Sequence, residues 1–166
     1  MDRKIWFKKI FNKYYSNIRN YVYYLSGDIN LSEDIAQDTF LRLWETDDIN
    51  ENTIKPFLFK ISRNLYLNQY DKNRVKSKFI NSQYEKLDLD SPEYLLEYKE
   101  YDERIQKVIS NLPTTCRTYF LLNRMDDMMY KDIAISFGVS VKAVEKQMSK
   151  AIRILKKELT RKQKKI

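Results

Sequence analysis

Lys142, Lys146 and Lys150 recur every four residues, and Glu145, Ser149 and Arg153 share their side of a helical wheel. Cations at that spacing neutralise phosphates, and lysine or serine side chains also reach base edges in the major groove. Base reading falls to Lys142, Glu145, Lys146, Ser149 and Lys150, while Arg153, Lys156 and Lys157 hold phosphates. Glu145 either accepts from a cytosine amine or orients a neighbouring lysine, and both readings stay open. A second set, Phe57, Phe59, Lys60, Arg63 and Asn64 followed by Lys72, Arg74 and Lys76, mixes rings, amides and cations. That mixture suits single-stranded nucleic acid, where cations follow phosphates and rings stack on unpaired bases. Core aromatics beside a solvated basic surface would read the same. A third set, Asp34, Gln37, Asp38, Leu41, Arg42 and Glu45, falls at i, i+3, i+4, i+7, i+8 and i+11. Such an acidic ridge with one outward leucine is either a solvated face or a dock for a basic partner helix.

Those residues need helices to position them. Three Pro and two Gly in 166 residues, with long stretches of helical period, point to an all-α fold. The C-terminal stretch predicts a short helix over Lys131–Phe137, with Ile133, Ala134 and Phe137 on one side. Gly138 supplies the left-handed turn and Ser140 caps a longer helix. Val144, Met148, Ala151, Ile152, Leu155 and Leu159 then form its apolar stripe. Small residue, turn glycine, capping serine and apolar plug at these offsets make a helix-turn-helix whose second helix enters the major groove.

Upstream, a first helix is expected from Ile5 to Leu25, with Phe7, Phe11, Tyr14, Ile18, Val22 and Leu25 inward, broken at Ser26–Asp28. Ser32 is expected to cap a second, Glu33–Glu45, with Ile35, Ala36, Thr39, Phe40, Leu43 and Trp44 inward. After a polar loop, Pro56 opens a third helix whose buried stripe is Leu58, Ile61, Leu65 and Tyr66, leaving Phe57 and Phe59 outside. Ser77–Asp90 has no clean period and reads as a tether. Ser91-Pro92-Glu93 starts another helix, with Tyr98, Tyr101, Ile105, Val108, Ile109 and Leu112 apolar. Thr114 is expected to cap the next, through Arg124, and the tail after Leu159 to be frayed.

The balance of 31 basic and 23 acidic residues favours an acidic polymer as partner. The excess is uneven: residues 105–166 hold 14 basic and 5 acidic side chains, whereas residues 77–104 hold 4 and 8. There is no His, one Cys and no cluster of glycines. Zinc sites of the usual Cys/His type, His-dependent catalysis and glycine-rich phosphate loops are therefore excluded, and no cofactor is expected. Cys116 reads as a small buried apolar residue. With no internal disulfide possible, a reducing cytoplasm fits. The N-terminus has no apolar core of signal-peptide type, and no run is long enough to span a membrane.

The run SEDIAQDTFLRLWE followed by KPFLFKISRNLYLNQYDKNR resembles the second region of bacterial extracytoplasmic-function RNA polymerase sigma factors. LPTTCRTYFLLNRMDDMMYKDIAISFGVSVKAVEKQMSKAIRILKKEL looks like their fourth region, and the Ala143-Val144-Glu145-Lys146 recognition helix looks most like versions from Bacteroidetes. The resemblance implies two small helical domains: residues 1–76 as region 2, 77–91 as linker and 92–166 as region 4. It implies that Asp34, Gln37, Asp38 and Leu41 grip the coiled coil of the polymerase β′ subunit, with the β subunit as a further contact. It implies that Phe57, Phe59, Lys60, Arg63, Asn64 and Arg74 open and read the minus-ten element. By the same resemblance the helix-turn-helix reads the minus-thirty-five element, and an anti-sigma partner is implied. Where many relatives carry Trp, this chain has Phe57, which keeps stacking but loses an indole N–H contact. The chain is thus expected to direct promoter-specific initiation and to do no chemistry itself. The rival readings are a stand-alone helix-turn-helix regulator, which would bind duplex DNA tightly without polymerase, and a helical adaptor with incidental basicity.

Overall fold

The structure, a computed structural model, describes residues 2–47, 49–76 and 92–163. Among these the chain is helix and turn throughout: α1 (Arg3–Ser26), α2 (Ile29–Glu45), a 3-10 turn (Glu51–Thr53), α3 (Ile54–Lys76), α4 (Pro92–Ser110), α5 (Thr114–Arg124), α6 (Tyr130–Phe137) and α7 (Val141–Gln163). The tether expected over Ser77–Asp90 and the Ser91 cap lie outside the described residues.

Helices α1 and α2 turn where the sequence breaks. Gly27 closes α1 at φ 75°, a conformation that costs a residue bearing a Cβ about 1–2 kcal/mol. Helix α2 starts four residues earlier than expected, because Asp28 rather than Ser32 is its cap: the Asp28 carboxylate accepts from the Leu31 N–H at 3.0 Å. An ionised carboxylate makes the stronger cap and meets the helix's positive end. Ser32 is instead buried in the first turn, donating its hydroxyl to the Ile29 carbonyl at 2.6 Å.

Helices α1, α2 and α3 pack around Ile18, Tyr21, Val22, Leu25, Ile35, Phe40, Leu43 and Leu58, all buried. Phe7, Phe11 and Tyr14 from the expected stripe are half-buried. Trp44 departs from its expected inward place. It lies partly exposed at the end of α2, edge-on to Phe7 at 5.1 Å and under the Arg3 guanidinium at 5.2 Å. The last turn of a helix simply runs beyond the three-helix core.

In the second half, α5, α6 and α7 form a compact triangle closed by Leu121, Ile133, Val144 and Met148. Cys116 is buried, donates its thiol to Gln147 Oε1 at 2.9 Å, and has its pKa pushed up by burial. Helix α5 follows Pro113 with no side-chain cap, so Thr114 is its first residue and not its cap. Tyr101 is 64 % exposed rather than part of the α4 stripe, where Ile109 is buried. The last helix runs further than expected, since α7 continues past Leu159 through Thr160 to Gln163.

The halves do not stand apart. One apolar cluster runs from Ile18 and Tyr21 through Phe59 and Tyr66 to Tyr119, Leu122, Met128 and Val144.

Candidate nucleic-acid interface

The helix-turn-helix is built as its residues dictate. Gly138 takes φ 64° and ψ 36°, and the next N–H, that of Val139, reaches back to the Ala134 carbonyl at 3.0 Å. Nothing lies within 4 Å of where a Cβ on Gly138 would sit, so it is the backbone that selects glycine there. Ser140 Oγ accepts from the Ala143 N–H at 3.1 Å and starts α7. Val144, Met148 and Ala151 are buried on its inner side. Lys142, Glu145, Lys146, Ser149, Lys150 and Arg153 are all exposed on its outer side. Among the described residues none of these cations is held in an ion pair, so their charge faces outward unspent.

The expected single-strand set is divided. Lys60, Asn64 and Lys72 are exposed and Phe57 is half-buried. Phe59 corrects the expectation: it is fully buried, edge-on to Tyr21 with ring centroids 5.1 Å apart, and cannot stack on a base. Arg63 also departs from it. Its guanidinium lies 5.1 Å above the Phe137 ring of α6, and its buried Nε has no hydrogen-bond partner. The Arg74 side chain is outside the described residues, although its backbone belongs to α3. Sequence reasoning missed Tyr70, a half-exposed ring tilted against Tyr66 at 5.9 Å. Its i,i+4 spacing from Tyr66 was the available signal.

On α2 the acidic ridge is exposed as expected, from Asp34, Gln37 and Asp38 through Leu41 and Arg42 to Glu45. Leu41 is 56 % exposed, a single leucine among the charged and amide side chains of the ridge.

A polar seam, which the sequence did not suggest, joins the two halves. Helix α1 has no basic residue in its last turn, and its terminal carbonyls are met from elsewhere. Arg117 Nη1 of α5 donates to the Leu25 carbonyl at 2.7 Å, Tyr66 donates its hydroxyl to the same oxygen at 3.2 Å, and Gln106 Nε2 donates to the Tyr23 carbonyl at 3.2 Å. The Leu25 carbonyl is an orphan of the helix end that these donors satisfy, whereas the Tyr23 carbonyl also accepts from the Gly27 N–H at 2.7 Å; a cation placed there favours the helix dipole. Asp102 accepts from Tyr23 and Tyr24 at 2.9 and 2.5 Å. Asp126 is buried, accepts from Asn17 Nδ2 at 3.1 Å, and has its backbone carbonyl bonded by Lys55 Nζ. Burial pushes the Asp126 carboxyl up to about 6, against the opposing pull of Asn17 and Lys55. Tyr21 OH and Thr118 Oγ1 approach each other here without a well-formed hydrogen bond, and burial raises the Tyr21 pKa.

Among the described residues there is no group of His, Cys, Asp and Glu able to hold a metal, and no helix long and apolar enough to cross a membrane.

The sequence matches the model of sigma-70 region 2 over residues 10–75 and that of sigma-70 region 4 over residues 102–155. It is 24 % identical over 158 residues to the RNA polymerase sigma factor YlaC of Bacillus subtilis, covering 92 % of this chain and 91 % of that one. It is 28 % identical over 128 residues to the ferric citrate uptake sigma factor FecI of Escherichia coli, covering 73 % and 72 %. Among solved structures, CnrH in complex with the cytosolic domain of CnrY matches with a TM-score of 0.71 at 20 % identity, over 93 % of this chain and 87 % of that one. The sigma factor RpoE in complex with the anti-sigma factor NepR from Bartonella quintana matches with 0.69 at 22 %, over 93 % and 96 %.

Proposed function

The chain belongs to the extracytoplasmic-function RNA polymerase sigma factors, and from that premise we propose how its surfaces divide the work. It is an alternative sigma factor that binds core RNA polymerase and directs promoter-specific transcription initiation. The observation that carries the division is the exposed, unpaired basic side of α7 behind a helix-turn-helix whose cap, turn and plug are all in place.

In this reading residues 1–76 are region 2, 77–91 the linker and 92–166 region 4. Lys142, Glu145, Lys146, Ser149 and Lys150 meet the minus-thirty-five element while Arg153 holds phosphate. Lys60, Asn64, Phe57 and Arg74 serve the minus-ten element on melted DNA, with Tyr70 as an added stacking ring and Arg63 joining once it leaves Phe137. Asp34, Gln37, Asp38 and Leu41 dock on the β′ coiled coil, where their charge suits a basic partner. The protein itself catalyses nothing and acts in the cytoplasm, where its polymerase and DNA are. Two structural neighbours are solved with partner proteins, one of them a named anti-sigma factor, which supports an anti-sigma partner here too. The lysine-rich recognition helix supports a Bacteroidetes origin.

Reconstituting the chain with core polymerase on genomic DNA and mapping transcript starts tests this. Discrete new starts preceded by two spaced motifs are expected. Tight, specific duplex binding by the chain alone, with no redirected initiation, would favour the stand-alone regulator.

A further inference from the structure

Helix α1 carries a strongly charged side that none of the surfaces above employs. Its charged residues are Arg3, Lys4, Lys8, Lys9, Lys13 and Arg19, with no carboxylate between Arg3 and Ser26. Arg3 is accounted for within the fold, since it bonds Asp47 and the Trp44 carbonyl and so closes the end of α2. The four lysines are different. All are exposed, and among the described residues none is held in an ion pair. Lys13 lies 5.1 Å from the centroid of the Tyr14 ring, which leaves its charge in place.

This arrangement works against the helix that bears it. Lys4 and Lys8, and again Lys9 and Lys13, are like charges one turn apart and repel. Lys4 also stands in the first turn, where the helix dipole disfavours a cation. A face serving solubility alone would mix its signs, as Arg42 does among the acids of α2.

The chemistry of the side selects among anionic partners. A membrane surface would require the apolar side of α1 to insert, yet Ile10, Ile18, Tyr21, Val22 and Leu25 are buried in the core. An acidic protein surface would require an apolar anchor, and among the large apolar residues of α1 only Ile5 is exposed. A phosphate backbone needs neither. Lys4 to Lys13 spans about 14 Å at about 1.5 Å per residue, the length of about four phosphates of one strand at about 3.4 Å each. Asn12 and Ser16, exposed on the same side, add donors of the kind that bind phosphate oxygens.

We propose that the outer side of α1 is a further, sequence-independent DNA-binding surface, on which Lys4, Lys8, Lys9 and Lys13 hold the phosphate backbone of promoter duplex in the polymerase-bound complex. The inference rests on the sigma-factor reading above.

The test substitutes Lys4→Gln, Lys8→Gln, Lys9→Gln and Lys13→Gln together and measures affinity of the core polymerase complex for duplex from a mapped start site, across salt concentrations. The slope of log affinity on log salt should become shallower by about 3–4, at about 0.9 per neutralised phosphate. Helicity should be unchanged and the melting temperature no lower, since repulsion is being removed. Arg104→Gln with Lys107→Gln, both exposed on α4, controls for net charge and should leave the slope nearly unchanged. An iron-chelate cleavage reagent on Asn12→Cys, in a Cys116→Ala background, should cut the duplex. A slope that changes no more per charge than in the α4 control would overturn the proposal. So would cuts from Asn12→Cys that fall on a second copy of the chain and not on DNA. Either result leaves co-purification with core polymerase intact, whereas failure of the sigma-factor reading abolishes it.

Discussion

Helices α3 and α7 are each 23 residues long, and both were expected to present cations to DNA, yet they meet the rest of the molecule differently. Helix α7 packs along one side, so its period separates the inside from the outside cleanly. Helix α3 is gripped from two sides, by α1 and α2 on one and α6 on the other. A second packing partner takes residues that a one-sided helix would leave in water. Phe59 goes into the core and Arg63 goes under region 4, while Lys60 and Asn64 between and beside them stay wet.

The sharpest way to break this comparison is at the two phenylalanines of α3. Phe59→Ala should cost about 3–5 kcal/mol of stability, as large-to-small changes at buried rings do, read as a lower denaturation midpoint. Phe57→Ala should leave stability within about 1 kcal/mol and reduce promoter opening instead. Equal loss of stability in both would place Phe57 in the core as well.

Protonation tests the seam between the helices. Asp126 is buried facing Asn17 and Lys55, with Asp127 beside it and Tyr21 nearby. Its folded pKa of about 6 lies above the ordinary 3.8, so the folded state binds the proton more tightly. Stability should therefore be greatest below pH 4 on this account and fall as pH rises to about 6, by at most roughly 3 kcal/mol at about 1.4 kcal/mol per unit. Asp126→Asn should flatten that slope in denaturation curves at successive pH values and raise the melting temperature at pH 7.

On α7, Lys146→Glu should lower promoter-dependent transcription roughly 10–100-fold, the scale of one lost base or phosphate contact made repulsive, with helicity unchanged. Intact transcription would return α7 to an ordinary solvated face. Asp38→Arg on the α2 ridge should weaken assembly with core polymerase about tenfold, seen in titration of the complex, because an exposed docking charge is reversed. The smallest effect is expected at the turn: Gly138→Ala should cost about 1 kcal/mol, purely from the left-handed backbone, in thermal melts.

The local devices were legible because each is complete within a few residues. The Gly138 turn, the Ser140 cap and the Val144 plug need no distant partner to be recognised. The outward α2 ridge was legible for the same reason as α7's, a single packed side. What escaped needed knowledge of a distant surface. Asp28 and Ser32 are four residues apart and both can cap; only the folded turn shows that the carboxylate takes the role and the hydroxyl is buried. Phe59 looked like a stacking ring because its partner, Tyr21, sits on another helix. Asn17, Lys55, Arg117 and Asp126 carried no signal, since nothing in their spacing announces that they meet.

The borrowed end of α1 has a thermodynamic corollary. The carbonyls that Arg117 and Gln106 satisfy sit only a few residues before Asp28, which launches α2 and its outward acidic side. Losing the Arg117 guanidinium would leave Tyr66 as the remaining side-chain donor to the Leu25 carbonyl, so a change on α5 alters the free energy of a helix end 92 residues away in sequence.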